Sequence, residues 1–469
     1  MDDRDLVVDD GPFLSGPDSL IRAFTRSYMH AVDRQHPYYR PLVTVSYALD
    51  ARWSGVRPFG YHLTNVVLDV LASLLCCVLL RAVGFDRVLA SLGALLFAVH
   101  PALGAAVAWV PGRNDLLLAV FALAAWICFL QDAQRPSWRW RLAHLGFLAL
   151  ALLTKETAAV LPFIFGAHVL ALRPERGRID WTCGSIVGLA LGWASCLAVR
   201  LAIQAKLGLR NVDGLDITQM GSRLAATLTQ VLFPVNPSLV SVVSDVPTAP
   251  GLVVTTMLGL TAAFAPGVVH RRVVLGAVVF LVTAGPFLLL PGTVLLGQRL
   301  VLPVIGAVIV IAEIARSVGR DRRALVAFSG VTLAFLGLMT LGSESAFRSR
   351  RAFSRAAVDA APHSPLAHFC LGESDQRDGA FDQALAEYNI ALSLGPLEVV
   401  HNNIAVIYMA SSRWHDAERE LRDDLVIDPR HSRALRNLGV VLRHEGRLDE
   451  AAAAEQRALD LEGTVDDSR

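Results

Sequence analysis

Ionisable side chains recur beside the long apolar runs of this 469-residue chain. Ionisable groups at membrane depth are costly to bury and usually serve a function. Carboxylates can accept protons there, and arginines can bind phosphate through two parallel hydrogen bonds. The residues able to do such chemistry are Asp9, Asp10, Arg40, His100, Arg113, Asp115, Lys155, Glu156 and Arg299.

Each of these residues also has a purely structural explanation. The acidic pair near the N-terminus is, taken alone, more often ordinary surface charge, and Arg40 could reach lipid head groups. His100 could cap or orient a helix, and Arg113 could simply pair with Asp115. Lys155 and its neighbour could form a surface turn. The functional explanation is favoured because the arginine pattern described below places all of these loops on one side of a membrane.

The composition predicts a polytopic membrane protein. Hydrophobic residues make up 54% of the chain and charged residues 18%, whereas a soluble domain usually carries about a quarter charged residues. This excludes a soluble enzyme and a disordered chain. Ten apolar runs are candidate spans, at 61–83, 88–103, 115–131, 142–153, 157–172, 181–204, 251–268, 273–290, 298–316 and 324–341.

Arginines flank alternate connections between these runs, and those connections are predicted to be cytoplasmic. The ionisable loops, the long stretch 205–250 and both termini are then extracytoplasmic. Residues 1–60 are predicted to form the first extracytoplasmic loop, yet no hydrophobic signal precedes them. We therefore expect a missing first transmembrane helix.

The C-terminal part is predicted to be a soluble repeat domain. From Ser343 onward the chain has 15 Arg and 22 Asp and Glu residues, a net charge of −7, and the remainder carries +8. Leu371-Gly372, Ile404-Ala405 and Leu438-Gly439 recur at nearly equal intervals. Small residues at a period of about 34 residues are typical of tetratricopeptide (TPR) repeats. Such repeats bind a peptide or partner protein or serve as scaffold.

The cysteines and basic residues exclude other classes of protein. The six cysteines lack regular spacing and any CxxC, so we expect buried free thiols and neither disulfides nor a zinc site. Only Lys155 and Lys206 are lysines among 43 basic residues, which indicates a GC-rich, bacterial genome. The acidic soluble part excludes a nucleic-acid partner.

Seven motifs occur in one order along nearly the whole chain. They are VVDD (7–10), YRPL (39–42), GYHLTN (60–65), FAVHP (97–101), VAWVPGRNDLL (107–117), TKET with LP (154–157, 161–162) and QRLVLP (298–303). In this order, and with the terminal repeats, the chain resembles the transmembrane-and-TPR-containing O-mannosyltransferases and their bacterial relatives.

The resemblance implies a GT-C membrane glycosyltransferase that uses a lipid-phosphate-linked sugar, with its active site between the first two extracytoplasmic loops. It implies that Asp9 or Asp10 is the catalytic base that accepts the proton of a Ser/Thr hydroxyl. It also implies that Arg299 binds the donor phosphate. The secondary candidates for phosphate or sugar contacts are Arg40, Arg113 and His100.

The sequence departs from the family pattern at three places. Ala105 stands where the family carries a glutamate, and Gln298 and Val301 stand where it often has glutamate and tyrosine. Asp115 could compensate for the missing carboxylate. No residue is assigned to a metal, and whether a divalent metal is used is left open.

The sequence therefore predicts an all-α fold, in which a polytopic transmembrane helical bundle (GT-C-like) is followed by a TPR α-solenoid. The predicted domains are the loop 1–60, the transmembrane domain 61–342 and the TPR domain 343–469. The predicted function is transfer of a mannose-like sugar from a polyprenyl-phosphate donor to Ser/Thr of a protein, in a bacterial inner membrane, with the TPR domain extracytoplasmic. The alternatives are an inactive membrane-anchored TPR scaffold and, ranked last, a transporter.

Overall fold

The computed structural model describes residues 4–28, 38–171, 183–206, 216–234, 241–289, 294–295, 297–319, 321–395 and 397–463. Nearly all of them are helical, which confirms the predicted all-α fold. The chain forms two compact units. The membrane unit comprises Met1–Leu239 and Val246–Phe347, and the repeat unit comprises Val240–Asp245 and Arg348–Arg469.

The membrane unit contains fifteen described α-helices, joined by short π or 3₁₀ turns at Arg4–Asp9, Ala23–Thr25, Val110–Gly112, Glu156–Val160, Gly297–Leu300 and Ser345–Arg348, with a two-residue strand β2 at Val294–Leu295. The helices are α1 (Gly11–Leu14), α2 (Ser19–Arg22), α3 (Pro41–Ser54), α4 (Pro58–Val83), α5 (Arg87–Ala98), α6 (Pro101–Ala108), α7 (Arg113–Gln134), α8 (Trp138–Thr154), α9 (Leu161–Ala171), α10 (Cys183–Lys206), α11 (Met220–Leu232), α12 (Thr248–Phe264), α13 (His270–Leu288), α14 (Val301–Val318) and α15 (Arg322–Glu344).

Six helical segments in the described residues are long and apolar enough to cross a membrane, or seven if α5 and α6 form one bent span. They are Pro58–Val83, Val110–Gln134, Val187–Lys206, His270–Leu288, Gly297–Val318 and Arg322–Arg348. The prediction had ten runs, because it accepted shorter apolar stretches. Helices α8 and α12 have 17 residues each, fewer than the roughly 20 that a straight span needs.

The predicted span 88–103 is broken in the structure. Helices α5 and α6 meet at an angle of 57°. Pro101 is the first residue of α6, where its missing N–H costs no helical hydrogen bond. His100 precedes it, and its Nδ1 accepts a hydrogen bond from the N–H of Ala102. The apolar composition concealed this break, because hydropathy does not record direction.

Close helix packing builds the core of the membrane unit. A Cβ added at Gly306 of α14 would lie 2.5 Å from the carbonyl oxygen of Gly276 on α13. The two backbones can therefore approach only because both positions are glycine. Helices α4, α5, α7 and α8 complete the core with buried Leu, Ala and Phe side chains.

The repeat unit contains strand β1 (Ser241–Val242), a 3₁₀ turn at Val243–Asp245 and seven described helices that pack against one another in chain order. The helices are α16 (Arg350–Ala360), α17 (Pro365–Arg377), α18 (Phe381–Leu394), α19 (Glu398–Ala410), α20 (Trp414–Ile427), α21 (Ser432–His444) and α22 (Leu448–Gly463). The turns inside the three hairpins α17–α18, α19–α20 and α21–α22 use one left-handed residue each, Gly379 (φ +78°), Ser412 (φ +57°) and Gly446 (φ +80°). The even spacing of these three positions agrees with the predicted repeat.

A short segment from the long loop 205–250 belongs to the repeat unit. The carboxylate of Asp245 accepts hydrogen bonds from the backbone N–H and, at 2.8 Å, from Nδ1 of His363. The side chain of Asp245 is 1% exposed, and Val242 beside it is buried. Residues 240–245 therefore belong to the repeat unit, although the chain then returns to the membrane unit before the main part of the repeat unit begins at Arg348.

Candidate functional site

A cavity of about 300 Å³, lined by apolar side chains and by one cluster of charged ones, lies inside the membrane unit. Four connections between helices bring charged side chains to its wall. Arg40 precedes α3, Asp115 lies in the first turn of α7, Lys155 and Glu156 follow α8, and Arg299 lies in the turn before α14. Three of the seven predicted site residues, Arg40, Asp115 and Arg299, are thus brought together although they are far apart in sequence.

Arg40 and Glu156 form a two-pronged ion pair on this wall. Arg40 donates from Nη2 to Oε1 of Glu156 at 2.6 Å and from Nε to Oε2 at 3.2 Å. Burial raises the pKa of Glu156, but the charge and the hydrogen bonds of Arg40 more than offset this and hold the pKa at about 2. The guanidinium also lies 4.3 Å from the ring centroid of Tyr38, so its plane is fixed by stacking as well as by charge.

Lys155 and Asp115 form a second ion pair. The Nζ of Lys155 donates to both carboxylate oxygens of Asp115, at 2.6 and 2.8 Å. Both side chains are buried. Burial lowers the pKa of Lys155, and the charge of Asp115 partly offsets that effect. The Asp115 carboxylate therefore lies next to the cavity with both oxygens bound to Lys155.

Arg299 completes the charged wall without a partner of its own. Within the described part of the chain it makes no hydrogen bond or ion pair, although it is partly buried and lines the cavity. The wall then carries three cations against two carboxylates. One positive charge on the cavity wall is therefore available for an anion.

Three neutral polar atoms on the same wall also lack partners. Nε1 of Trp109, Oδ1 of Asn114 and Oε1 of Gln298 are buried without a hydrogen bond to any described residue. Buried polar atoms in native proteins are normally satisfied, so orphaned atoms around a cavity indicate a polar ligand or water. One donor and two acceptors beside a cation match a ligand with hydroxyl groups and an anionic end.

Arg113 is predicted to contact the donor, but the structure places it away from the cavity wall. Its side chain is fully buried and pairs with Asp50 at 2.6 Å. It also donates to Oδ1 of Asn65 at 2.9 Å and to the carbonyl oxygen of Tyr61 at 2.7 Å. Arg113 thus joins α3, α4 and α7, and the alternative in which it pairs with Asp115 is wrong.

His100 likewise lies outside the cavity lining. Its Nδ1 accepts from the N–H of Ala102, so its Nε2 carries the proton and donates to the carbonyl oxygen of Val231 at 2.8 Å. The imidazole therefore ties the break between α5 and α6 to α11. This is the helix-orienting role that was the structural explanation for His100.

The predicted base is not placed at the cavity by the described residues. The side chain of Asp9 lies outside the described part of the structure, and Asp10 is buried just before α1, away from the cavity lining. Leu6, one turn earlier, does line the cavity. The assignment of Asp9 or Asp10 as the base stays a prediction.

Sequence reasoning missed the neutral lining residues and Arg200. Arg200 lies within the apolar helix α10, is 3% exposed, and has Nη2 3.7 Å from Oε2 of Glu156. A lone arginine inside an apolar run was a usable signal, because buried charge in a membrane helix is costly. Trp109, Asn114 and Gln298 gave no such signal.

The fold and the site together define the class of protein, which is a multi-pass helical membrane protein with a charged-walled cavity and a TPR unit in the same chain. Residues 35–199 match the dolichyl-phosphate-mannose-protein mannosyltransferase family, and residues 402–463 match the tetratricopeptide repeat family. The resemblance predicted from the seven motifs is thereby confirmed. The mannosyltransferase match includes Arg40, Asp115, Lys155 and Glu156, four of the five charged residues on the cavity wall.

Curated relatives of the chain are named protein O-mannosyl-transferases. The chain is 35% identical to a protein O-mannosyl-transferase of Drosophila melanogaster over 33% of this chain and 18% of that protein. It is 31% identical to one of Caenorhabditis elegans over 28% of this chain and 20% of that protein. It is 37% identical to one of Mus musculus over 21% of this chain and 11% of that protein. The matched segment thus spans a fifth or less of each relative's length.

Proposed function

We propose that this protein is a membrane glycosyltransferase that moves a mannose-like sugar from a polyprenyl-phosphate donor to Ser/Thr of a protein. The observation that carries the proposal is Arg299, without a described partner, in a cavity lined by three orphaned polar atoms. An anionic phosphate would neutralise Arg299. Sugar hydroxyls would satisfy Trp109, Asn114 and Gln298. The mannosyltransferase match over residues 35–199 supports this choice of ligand.

The proposed reaction is an inverting displacement at the anomeric carbon. The acceptor hydroxyl oxygen forms a bond to that carbon, the bond to the phosphate oxygen breaks, and the polyprenyl phosphate leaves with the electron pair. A carboxylate takes the hydroxyl proton. Arg299, with Arg40 beside it, stabilises the negative charge that develops on the departing phosphate.

Three carboxylates, Asp9, Asp10 and Asp115, are candidates for the base. Asp9 or Asp10 is the predicted base. Asp115 lines the cavity, but it already accepts two hydrogen bonds from Lys155. A carboxylate offers about four acceptor sites, but both Asp115 oxygens are turned toward Lys155, so the Asp115 carboxylate fits better as the group that positions Lys155.

The repeat unit is proposed to bind the acceptor protein or an envelope partner. Its repeat match at 402–463 supports a protein-binding role, since stacked helical repeats offer an extended concave surface. The arginine pattern supports placement of this unit outside the cytoplasm. The membrane is proposed to be a bacterial inner membrane, because the near-absence of lysine indicates a GC-rich, bacterial genome.

The test is transfer from radiolabelled polyprenyl-phosphate-mannose to a Ser/Thr-rich peptide by full-length protein in liposomes. Arg299→Ala should lower turnover by about 10²-fold or more, as loss of an oxyanion-stabilising group does. Arg299→Lys should retain part of that activity, since it keeps the charge but loses the two-pronged geometry. Arg271→Ala, which removes an exposed arginine at the start of α13, is the matched control and should be unchanged.

If folded wild-type protein transfers sugar from no polyprenyl-phosphate donor, the glycosyltransferase proposal fails. The inactive membrane-anchored scaffold would then be the better interpretation. Ala105, in place of the glutamate that the family implies, is the observation that keeps this second candidate open.

A further inference from the structure

The first two hairpins of the repeat unit carry the same histidine–glutamate pair. Nδ1 of His368 lies 2.7 Å from Oε2 of Glu387, between α17 and α18. Nδ1 of His401 lies 2.9 Å from Oε2 of Glu420, between α19 and α20. Both members of the pair recur at the same interval along the chain, so the two pairs occupy equivalent places in successive repeats.

Among the described residues, the second of these two pairs alone has a third ligand-type side chain beside it. Asp423 lies three positions after Glu420, on the same face of α20. One side-chain atom from each of His401, Glu420 and Asp423 lies within 4.8 Å of the other two. Asp423 is exposed and, in the part of the chain that the structure describes, makes no hydrogen bond or ion pair. Its carboxylate is therefore available to a ligand.

The equivalent positions in the other repeats lack this set. In the first hairpin Asp423 is replaced by Ile390, although the His368–Glu387 pair is present. In the third hairpin the three positions are Leu435, Ala454 and Arg457. The arrangement of one imidazole with two carboxylates thus belongs to the middle hairpin and does not follow from the repeat pattern itself.

We propose that His401, Glu420 and Asp423 bind a divalent transition-metal ion, with Zn²⁺ as the prototype. The ion would replace the proton that His401 shares with Glu420. An imidazole nitrogen and carboxylate oxygens bind zinc at about 2.0–2.2 Å, which small side-chain rotations would reach from the present separations. Imidazole with carboxylates suits zinc and its neighbours better than magnesium or calcium.

The surroundings of the three ligands suit a cation. Asp424 accepts from the N–H of Asn402 and from Nδ1 of His431, which fixes the backbone next to Asp423. The positive side chain that contacts this set is Arg419, with Nη2 3.8 Å from Oε1 of Glu420. Arg419 is 57% exposed and can turn away into solvent. Three protein ligands would leave one position for water or for a group from a bound partner.

A second cluster of the same size carries no such proposal. His415, Glu418 and Glu445 also lie close enough together, but Glu418 already pairs with Arg422 and Arg447. Both guanidinium groups contact Oε1 of Glu418, and their positive charges repel a metal ion. His415→Ala is therefore a useful control.

The test uses full-length protein in detergent, purified without a polyhistidine tag and stripped with a chelator. Isothermal titration with ZnCl₂ should show one ion per chain, and MgCl₂ at the same concentration should show none. Asp423→Ile, which copies the first hairpin, should weaken zinc binding by at least about tenfold. Asp423 has no described hydrogen bond or ion pair, so this change should not unfold the unit. His368→Ala and His415→Ala should keep the wild-type stoichiometry.

The converse variant tests the same three-residue set. Ile390→Asp places the missing carboxylate beside His368 and Glu387 and should raise the stoichiometry to two ions per chain. The proposal is overturned if wild-type protein binds no zinc, if Asp423→Ile binds as wild type does, or if Ile390→Asp stays at one ion. Sugar transfer is not measured in any arm, so the outcome is independent of the proposed enzyme activity.

Discussion

Individual buried charges in the membrane unit have two distinct uses. Arg113 pairs with Asp50 and is fully buried, whereas Arg299 faces a cavity without a described partner. The sequence marks both as arginines beside apolar runs and cannot separate them. Asp50, the partner that explains the burial of Arg113, lies on α3, and Arg113 begins α7, four helices later. No local sequence pattern therefore connects the two residues.

Removing the partner of a buried charge should be far more harmful than removing a surface partner. Asp50→Ala leaves the Arg113 guanidinium buried and unpaired, and we expect a loss of about 3–5 kcal/mol in unfolding free energy. Thermal denaturation in detergent measures it. Arg322→Ala breaks the exposed ion pair with Asp86 and should cost below about 1 kcal/mol. Equal losses in the two variants would contradict the structural role of Arg113.

The identity of the base is also a residue-scale question. A general base contributes about 10²–10⁴-fold to rate, so Asp10→Asn or Asp9→Asn should lower turnover by that much with donor binding unchanged. Asp115→Asn should instead tighten binding of the anionic donor, because it leaves Lys155 as a second uncompensated cation on the cavity wall. Turnover and donor affinity measured separately in the transfer assay distinguish the two. A turnover loss confined to Asp115→Asn would make Asp115 the base.

At the scale of helices, hydropathy predicted where apolar segments lie but not where the helices within them break or end. The run 88–103 contains the break at His100, and the run 142–153 is part of a 17-residue helix. The apolar signal sums over a window, so a single proline or a change of direction leaves it unaltered.

The neutral wall residues Asn114 and Gln298 were missed for a related reason. Their importance lies in unsatisfied atoms, which only the packed structure reveals.

The TPR hairpins, by contrast, were predictable because small residues recur at a fixed period. One deviation inside the pattern has an energetic consequence. Ser412 holds the left-handed turn that Gly379 and Gly446 hold in the neighbouring hairpins. A side chain there costs about 1–2 kcal/mol, and glycine's freedom in the unfolded chain offsets about half of the gain.

Ser412→Gly should therefore stabilise the middle hairpin by about 0.5–1 kcal/mol. Hydrogen-exchange mass spectrometry of full-length protein should show slower exchange in peptides from α19 and α20. Gly446→Ser is the reverse change and should speed exchange in α21 and α22. Faster exchange in the Ser412→Gly protein would mean that the serine side chain contributes more than its backbone strain costs.

For the molecule as a whole, the predicted orientation of the protein in the membrane can be tested at the two ends of one helix. Helix α15 has 23 residues and is the last apolar helix before the repeat unit. If α15 crosses the membrane, its two ends lie on opposite sides. Alkaline phosphatase, active only outside the cytoplasm, should work when fused after Arg469 and fail when fused after Arg322. Activity at Arg322 with none at Arg469 would reverse the orientation drawn from the arginine pattern.

The repeat unit includes the segment 240–245, so it is not formed by the C-terminal part of the chain alone. A stop codon after Phe347 would remove α16 to α22 but leave Asp245 behind, a buried carboxylate stripped of the hydrogen bonds that His363 donates to it. Truncation would thus leave this loop without its partner residues, and the remaining protein would be prone to misfold. Conversely, a single protease nick after Phe347 should leave the repeats held non-covalently. Modular deletion, the usual first experiment on such a protein, would damage both pieces at once.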